Sequence, residues 1–190
     1  MRAGIQLNDT TKKPMKTTQL TPGEYAPYYQ AYIDAFGDGD LFEELEISIH
    51  EFIRFVQEIP LGKHDFRYAE GKWTLKDIIQ HLIDAERIFS YRALRIARAD
   101  LTPLPGFEEN AYVPAANADR RHLKSLLEEF AVVRQSTLTL FKSFSEEDLL
   151  RRGTASNVGV SVRALGFIMV GHLRHHKRIF KERYLIDQVL

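Results

Sequence analysis

The sequence predicts an all-α protein, an up-down-type four-helix bundle with an extra N-terminal arm or short helix. Four long segments carry apolar residues at helical spacing, and the segments between them are rich in turn-forming residues. No run shows the sustained alternation that is typical of a β-strand. The chain has 190 residues, which is enough for one domain with a sizeable core.

The N-terminal region differs in composition from the rest of the chain. Residues 1–23 are polar and include Pro14 and Pro22, which predicts an arm that wraps around the body or frays. The aromatic stretch EYAPYYQAYIDAF follows and predicts a short helix packed on the main body, which the GDGD run then ends. We therefore assign residues 24–190 to the bundle domain.

The first two long helices are predicted from their periodicity and their ends. The first spans about residues 40–58 and is followed closely by Pro60. The second spans about residues 75–98, with Thr74 as N-cap and Asp77 in the first turn, where a carboxylate suits the helix dipole. The tryptophan in front of this helix is expected to anchor its start in the core.

The last two helices are predicted over residues 118–142 and 161–185, the latter with Ser161 as its cap. The connection at 101–116 contains three prolines and a glycine and is predicted to be a true loop. The connection between the third and fourth helices is expected to hold one short helical turn after Ser145.

Composition excludes several classes of protein and of site. Basic and acidic residues number 26 each, which argues against an extended nucleic-acid-binding face. The chain has no cysteine, so disulfides, thiolate metal ligands and a cysteine nucleophile are ruled out. No stretch approaches the roughly 18 apolar residues of a membrane span, and the N-terminus lacks the apolar core of a signal peptide. We expect a cytoplasmic protein without nucleic-acid or membrane partners.

Three histidines are placed as a metal site would need them. His172 and His176 stand four residues apart in the run GHLRHHKRIF, so they share one face of the fourth helix, and that face is apolar. His81 lies on the apolar stripe of the second helix. Because bundles build metal sites from side chains on facing helices, the three imidazoles can reach one ion. Three protein ligands leave one coordination position open, as in catalytic zinc sites.

Other readings of the histidines stay open at this point. A histidine on an apolar face is often a hydrogen-bonded core residue, so three core histidines are the competing interpretation. His175 is three residues from His172 and competes as a ligand, although it lies off the central stripe and is expected at the rim. His50, His64 and His122 have more polar surroundings and are expected at the surface.

The sequence carries none of the common catalytic signatures. It has no HExxH and no Glu-x-x-His repeat of a di-iron bundle, and it lacks a P-loop, GxGxxG or GxSxG. Any chemistry must therefore come from the histidines and the side chains around them.

Two segments resemble the DinB/YfiT-like superfamily, a family of four-helix bundles. They are KWTLKDIIQHLIDAERIFSYRALRIARAD, with its Trp-Thr opening and histidine, and FIMVGHLRHHKRIFKERYL, with its His-x-x-x-His. The resemblance covers about residues 24–187. It implies one divalent metal ion, most often zinc or nickel, bound by His81, His172 and His176, and it implies a homodimer.

The resemblance implies a metal-dependent enzyme of thiol S-transferase or hydrolase type that acts on a small-molecule substrate. Family members include transferases that use bacillithiol or mycothiol, a mycothiol-dependent isomerase and many proteins designated metal-dependent hydrolases. A low-molecular-weight thiol or a water molecule would be the nucleophile, and the motif does not choose between them. The alternatives are a non-catalytic metal- or ligand-binding bundle in a stress response, and a structural dimer whose histidines fill the core.

Further site residues are candidates with more than one interpretation. Glu86 lies near the apolar side of the second helix, where a carboxylate needs a partner. It could act as a base, orient a ligand histidine, or pair with an arginine such as Arg92 or Arg95. Together with Arg98, these arginines could hold an anionic substrate or thiol, or form a solvated face.

The 101–116 loop is long for a bundle connection, and such loops are often functional lids. Phe107, Asn110 and Tyr112 could line a substrate entrance there. The competing interpretation is a loop that only caps the end of the bundle.

Overall fold

The computed structural model describes residues 13–185, so predictions for residues 1–12 and 186–190 lie outside the described part. The helices, in chain order, are α1 (Gln30–Phe36), α2 (Leu41–Gln57), α3 (Leu75–Ala97), α4 (Glu109–Ala116), α5 (Leu123–Ser143), α6 (Glu146–Leu150) and α7 (Val162–Ile179). A π-helical segment, Phe180–Tyr184, continues α7. Two strands, β1 (Arg152–Ala155) and β2 (Val158–Ser161), form a hairpin.

The predicted four-helix bundle is confirmed, and α2, α3, α5 and α7 are its long helices. Helices α2 and α3 each pack against both α5 and α7. Consecutive helices α2 and α3 therefore lie diagonally across the bundle, whereas in a simple up-and-down bundle they would be neighbours. The connections between the long helices are long enough to cross the end of the bundle, which is why the sequence pattern did not specify this order.

The helix ends match the predicted capping residues. Thr74 and Asp77 form a capping box, with each side chain accepting a hydrogen bond from the other residue's backbone N–H. The Ser161 hydroxyl accepts from the backbone N–H of Ala164, and Asp40 caps α2 in the same way. The short helical turn expected after Ser145 is α6.

The hairpin is the main departure from the all-helical expectation. Strands β1 and β2 pair antiparallel, and Ser156 and Asn157 in the turn both have positive φ angles, of 52° and 63°. Two successive residues with positive φ are typical of a two-residue hairpin turn, because the backbone twist of such a turn matches the twist of the two strands. Each strand has only four residues, too few for a visible alternation of apolar and polar side chains. Sequence analysis also missed α4, which lies inside the 101–116 loop.

The core consists of two apolar clusters separated by a polar layer. One cluster surrounds Phe36, Phe89 and Phe141, and the other surrounds Phe52 and Phe130. Along α7, Met169 belongs to the first cluster and Leu173 to the second, so the His172 side chain lies at the boundary. The same boundary passes between Leu138 and Val133 on α5, where Arg134 is buried. Buried polar groups of this layer need partners within the protein.

Helix α1 crosses α7 so closely that only glycine fits at position 171. A Cβ atom added at Gly171 would lie 1.8 Å from the backbone oxygen of Tyr32. Tyr32 in turn contacts the ring of His172. The glycine therefore allows α1 to cover the histidine face of α7.

We expect Gly171→Ala to lower the free energy of unfolding by about 2–3 kcal/mol, since α1 has to move away from α7. Urea unfolding measures this change. Gly62→Ala is the matched control, because an added Cβ there meets nothing within 4 Å. Equal stability of the two variants would contradict the close crossing.

The described part of the N-terminal arm is tied to the start of α7. Glu24 is buried, and its carboxylate accepts hydrogen bonds from Arg163 at 2.6 and 2.7 Å and from the Ser161 hydroxyl at 2.8 Å. Burial alone would raise the pKa of this carboxyl, but the hydrogen bonds from Arg163, Thr21 and Ser161 outweigh it and lower the pKa to about 2. Glu24, the first residue after the arm, thus forms a buried ion pair with α7, and the arm residue Gln19 accepts a hydrogen bond from the same arginine at 2.7 Å through its backbone oxygen.

This pair should make stability depend on pH in the acidic range. Between pH 4.5, the ordinary pKa, and about 2, the unfolded chain takes up a proton at Glu24 that the folded chain does not, so stability falls as pH falls. We expect Glu24→Gln to cost about 3 kcal/mol at pH 7 and to flatten this acid dependence in urea unfolding. Glu46→Gln, at an exposed pair with Lys142, should change neither. An unaltered acid dependence in Glu24→Gln would refute the assignment.

No helix within residues 13–185 combines the length and the apolar character that crossing a membrane requires.

Candidate metal centre

The three predicted histidines meet at one point in the structure. His81 projects from α3, and His172 and His176 project from successive turns of α7. The Nε2 atom of His172 lies 3.0 Å from Nε2 of His81 and 3.0 Å from Nε2 of His176. All three ligand atoms lie within 4.8 Å of one another.

Hydrogen bonds between the imidazoles cannot account for both of these short nitrogen–nitrogen distances. In the ring plane a neutral imidazole nitrogen carries either one hydrogen or one lone pair. Nε2 of His172 can therefore form a hydrogen bond with one of its two neighbours but leaves the other contact unfavourable. Nitrogens around a tetrahedral zinc ion, with bonds of about 2.0–2.1 Å, would lie about 3.3 Å apart. The donor set therefore fits a divalent ion.

The histidines are held in the neutral form that binds metals. Burial lowers the pKa of the His81 imidazole to about 4. Burial, with smaller contributions from neighbouring imidazoles, lowers the pKa of His172 and of His176 well below the usual value. Each of the three rings is therefore neutral at neutral pH and has one unprotonated nitrogen that can bind a metal. Nδ1 of His176 is buried and has no hydrogen-bond partner among the described residues.

Aromatic rings hold the imidazoles in place. The Trp73 ring centroid lies 5.0 Å from that of His81, and the Tyr32 centroid lies 5.0 Å from that of His172. Trp73 is only partly buried, so it anchors the start of α3 at the edge of the second core cluster. His175 is half-buried at the rim, as expected, with its ring 5.3 Å from that of His176.

The histidines lie on the wall of a cleft of about 360 Å³. Six further residues of the wall are aromatic, namely Tyr28, Tyr29, Tyr32, Trp73, Phe89 and Phe107. The polar groups around it include Arg92, Glu109 and Ser156, which come from α3, α4 and the hairpin turn. The volume lies near the lower end of the range for small-molecule sites.

The predicted loop residues are distributed unevenly around this cleft. Phe107 lines it. Tyr112 lines a smaller adjoining recess on the other side of His81, and Asn110 is exposed, where its side chain donates to the Glu108 carboxylate at 3.1 Å. Of these three predicted residues, the structure brings only Phe107 to the histidine cleft.

Glu86 has a partner that the sequence did not indicate. Its carboxylate accepts two hydrogen bonds from Arg134 of α5, at 2.6 and 2.8 Å, and both side chains are almost fully buried. Arg134 also donates to the Ser48 hydroxyl at 2.8 Å. Glu86 therefore pairs with an arginine of the neighbouring helix α5, in the polar layer of the core, and not with Arg92 or Arg95 of its own helix.

The three candidate arginines of α3 have different environments. Arg95 lies outside the cleft and pairs with Asp100 and with the Tyr91 hydroxyl. Arg98 is exposed and lies over the Phe144 ring, at 5.7 Å. Arg92 is buried and lines the cleft. The stripe of α3 that faces the cleft thus runs from His81 through Ala85 and Phe89 to Arg92.

Sequence analysis missed the tyrosines of the N-terminal region as site residues. The run Pro27–Tyr29 forms one turn before α1, and Tyr28, Tyr29 and Tyr32 line the cleft. The density of aromatic residues in this stretch is the available signal, but in the sequence it predicts a packing face equally well.

Comparisons with known proteins agree with this architecture. A sequence model of the DinB superfamily matches residues 44–180. Among solved structures, the chain is similar to YfiT from Bacillus subtilis, described as a probable metal-dependent hydrolase with an unusual four-helix bundle topology. The identity is 16%, the alignment covers 86% of this chain and 90% of that one, and the TM-score is 0.66. No curated protein gives a significant match.

Proposed function

Because this chain belongs to the DinB superfamily, we propose that it is a metal-dependent hydrolase of a small organic substrate. The observation that carries the proposal is the convergence of three Nε2 atoms, with His172 Nε2 3.0 Å from each of its neighbours, on the wall of an aromatic cleft. YfiT, which shares the fold, is described in the same terms.

His81, His172 and His176 are the proposed ligands of one divalent ion, with zinc or nickel suited to the imidazole set. A bound divalent ion would lower the pKa of a coordinated water to about 7 and polarise the bond under attack. Three neutral ligands leave the full charge of the ion for this purpose. Two of the three ligands come from one helix, so only the packing of α3 against α7 completes the set.

The surrounding side chains would bind and orient the substrate. The rings of Tyr29, Tyr32 and Phe89 offer apolar area for the non-reacting part of a substrate. His172 and His176 are buried, and the scarcity of water around them strengthens electrostatic interactions there. The rings that contact the imidazoles keep the ligand nitrogens in place when substrate enters.

Hydrolysis is the leading candidate because it needs only a water molecule beside the substrate, whereas a transferase also has to bind an organic thiol. Thiol transfer with a low-molecular-weight thiol is the second candidate, and a non-catalytic metal-binding bundle is the third.

Two measurements on the zinc-loaded or nickel-loaded protein separate these functions. We expect turnover of some members of a panel of 4-nitrophenyl esters and anilides, which a chelator abolishes and added metal restores. The absorption spectrum of cobalt-substituted protein reports whether a thiol enters the coordination shell. A spectrum that responds to thiols, without turnover of any ester or anilide, would replace hydrolysis by thiol transfer. A lack of both responses would leave a binding bundle.

A further inference from the structure

Arg92 is a buried cation whose hydrogen-bond acceptors are neutral. Its side chain is only 2% exposed. Its Nη2 atom donates to the backbone oxygen of Pro105 at 2.8 Å and to the Ser156 hydroxyl at 2.8 Å, and the Tyr29 hydroxyl lies nearby. The guanidinium also lies between two rings, with its carbon 5.8 Å from the Phe89 centroid and 5.9 Å from the Phe107 centroid.

Three other arginines near Arg92 in the sequence or in the core are paired with carboxylates, whereas Arg98, which lies over the Phe144 ring, is exposed to solvent. Arg87 pairs with Glu129, Arg95 with Asp100 and Arg134 with Glu86. Within residues 13–185 no carboxylate lies within ion-pair distance of Arg92. Burying a charge is costly unless it is paired, so an unpaired guanidinium on a cleft wall indicates that the missing anion comes from outside the chain.

We propose that Arg92 binds a carboxylate of the substrate, and that the enzyme hydrolyses small organic monoanions. This inference rests on the proposed function, whose substrate class it specifies. A guanidinium matches the planar geometry of a carboxylate and can bind both of its oxygens. One positive charge with hydroxyl groups beside it suits a monoanion, and the nearby carboxylate of Glu109 disfavours a phosphate dianion.

The Phe89 ring lies between His172 and Arg92 and limits the distance between them. Its centroid is 6.3 Å from the His172 ring centroid and 5.8 Å from the Arg92 guanidinium carbon. The His172 ring centroid and the guanidinium carbon are therefore at most about 12 Å apart. The carboxylate and the scissile bond of the substrate should therefore be separated by a short apolar or aromatic spacer that packs on this ring.

Trp73 makes binding measurable without turnover, because it is the only tryptophan of the chain and lines the cleft. We would titrate the full-length protein with 3-phenylpropanoate and with its neutral isostere 3-phenylpropanamide, and follow Trp73 fluorescence. The wild type should bind the carboxylate at least about tenfold more tightly than the amide. Arg92→Gln should lose this preference, and Arg92→Lys should retain part of it. Arg95→Gln removes a charge from the same helix outside the cleft and should behave like the wild type.

The titrations would be made with zinc-loaded and with metal-depleted protein, because a carboxylate could also bind the ion. A preference that disappears without metal, or that persists in Arg92→Gln, would overturn the assignment to Arg92. Equal binding of the two probes by the wild type would overturn it even if Arg92→Gln did not fold. Since fluorescence needs no catalysis, a carboxylate preference without any turnover would count against the proposed hydrolase activity and not against this site.

Discussion

Replacement of His172 by alanine is expected to weaken zinc binding by more than about 100-fold and to abolish metal-dependent turnover. Nε2 of His172 is the central atom of the set, at 3.0 Å from both other ligand nitrogens. Changing a residue that only supports a metal ligand typically costs 10–100-fold in affinity, so loss of a ligand should cost more. Competition with a chelator of known zinc affinity measures the change.

His175→Ala is the matched control for this variant. His175 lies three residues further along the same helix, is half-buried, and contacts the ring of His176 from the rim. We expect its removal to leave zinc affinity within about threefold of the wild type. If His172→Ala kept its affinity while His175→Ala lost it, the ligand set would include His175 in place of His172.

Replacement of Glu86 by leucine is expected to lower the free energy of unfolding by about 3–5 kcal/mol. The carboxylate accepts two hydrogen bonds from Arg134, which is 1% exposed and whose other acceptors among the described residues are the Ser48 hydroxyl and the Leu45 carbonyl. Removal of one partner leaves a charge buried and uncompensated. Urea unfolding at neutral pH measures the loss.

Two further variants identify the origin of this effect. The double variant Glu86→Leu with Arg134→Met removes both charges and should recover most of the lost stability. Arg87 is next to Glu86 in the sequence and forms a half-exposed ion pair with Glu129. Arg87→Gln breaks this pair and should lower the free energy of unfolding by less than about 1 kcal/mol. A Glu86→Gln variant with unchanged stability but no turnover would show instead that Glu86 acts as a base.

The sequence predicted the histidine site because local and long-range signals coincided. Spacing of four residues places His172 and His176 on one helical face, and apolar periodicity identifies that face and the one carrying His81 as buried. Bundle packing then brings two buried stripes together without detailed knowledge of the loops. Apolar periodicity can be recognised in a single sequence. The helix starts at Thr74 and Ser161 were predictable because capping also depends on a few neighbouring residues.

Features that depend on pairing across the bundle were not predictable. Arg134 is one of several arginines, and the sequence does not show that the register of α5 against α3 brings it to Glu86. Arg92 and Arg95 look alike in the sequence, yet one faces the cleft and the other pairs with Asp100 at the helix end. The hairpin that supplies Ser156 has strands too short to show a pattern.

The most direct test of the central claim is the metal content of the purified protein. Elemental analysis of the wild type should give about one divalent ion per chain, and His81→Ala and His172→Ala should both lose it. The His81 variant is decisive because His81 lies on a different helix from the other two ligands. Loss of metal from His81→Ala would show that α3 and α7 together form the site. A wild type that stays metal-free after zinc and nickel are supplied would contradict the metal centre and leave a bundle with three buried histidines.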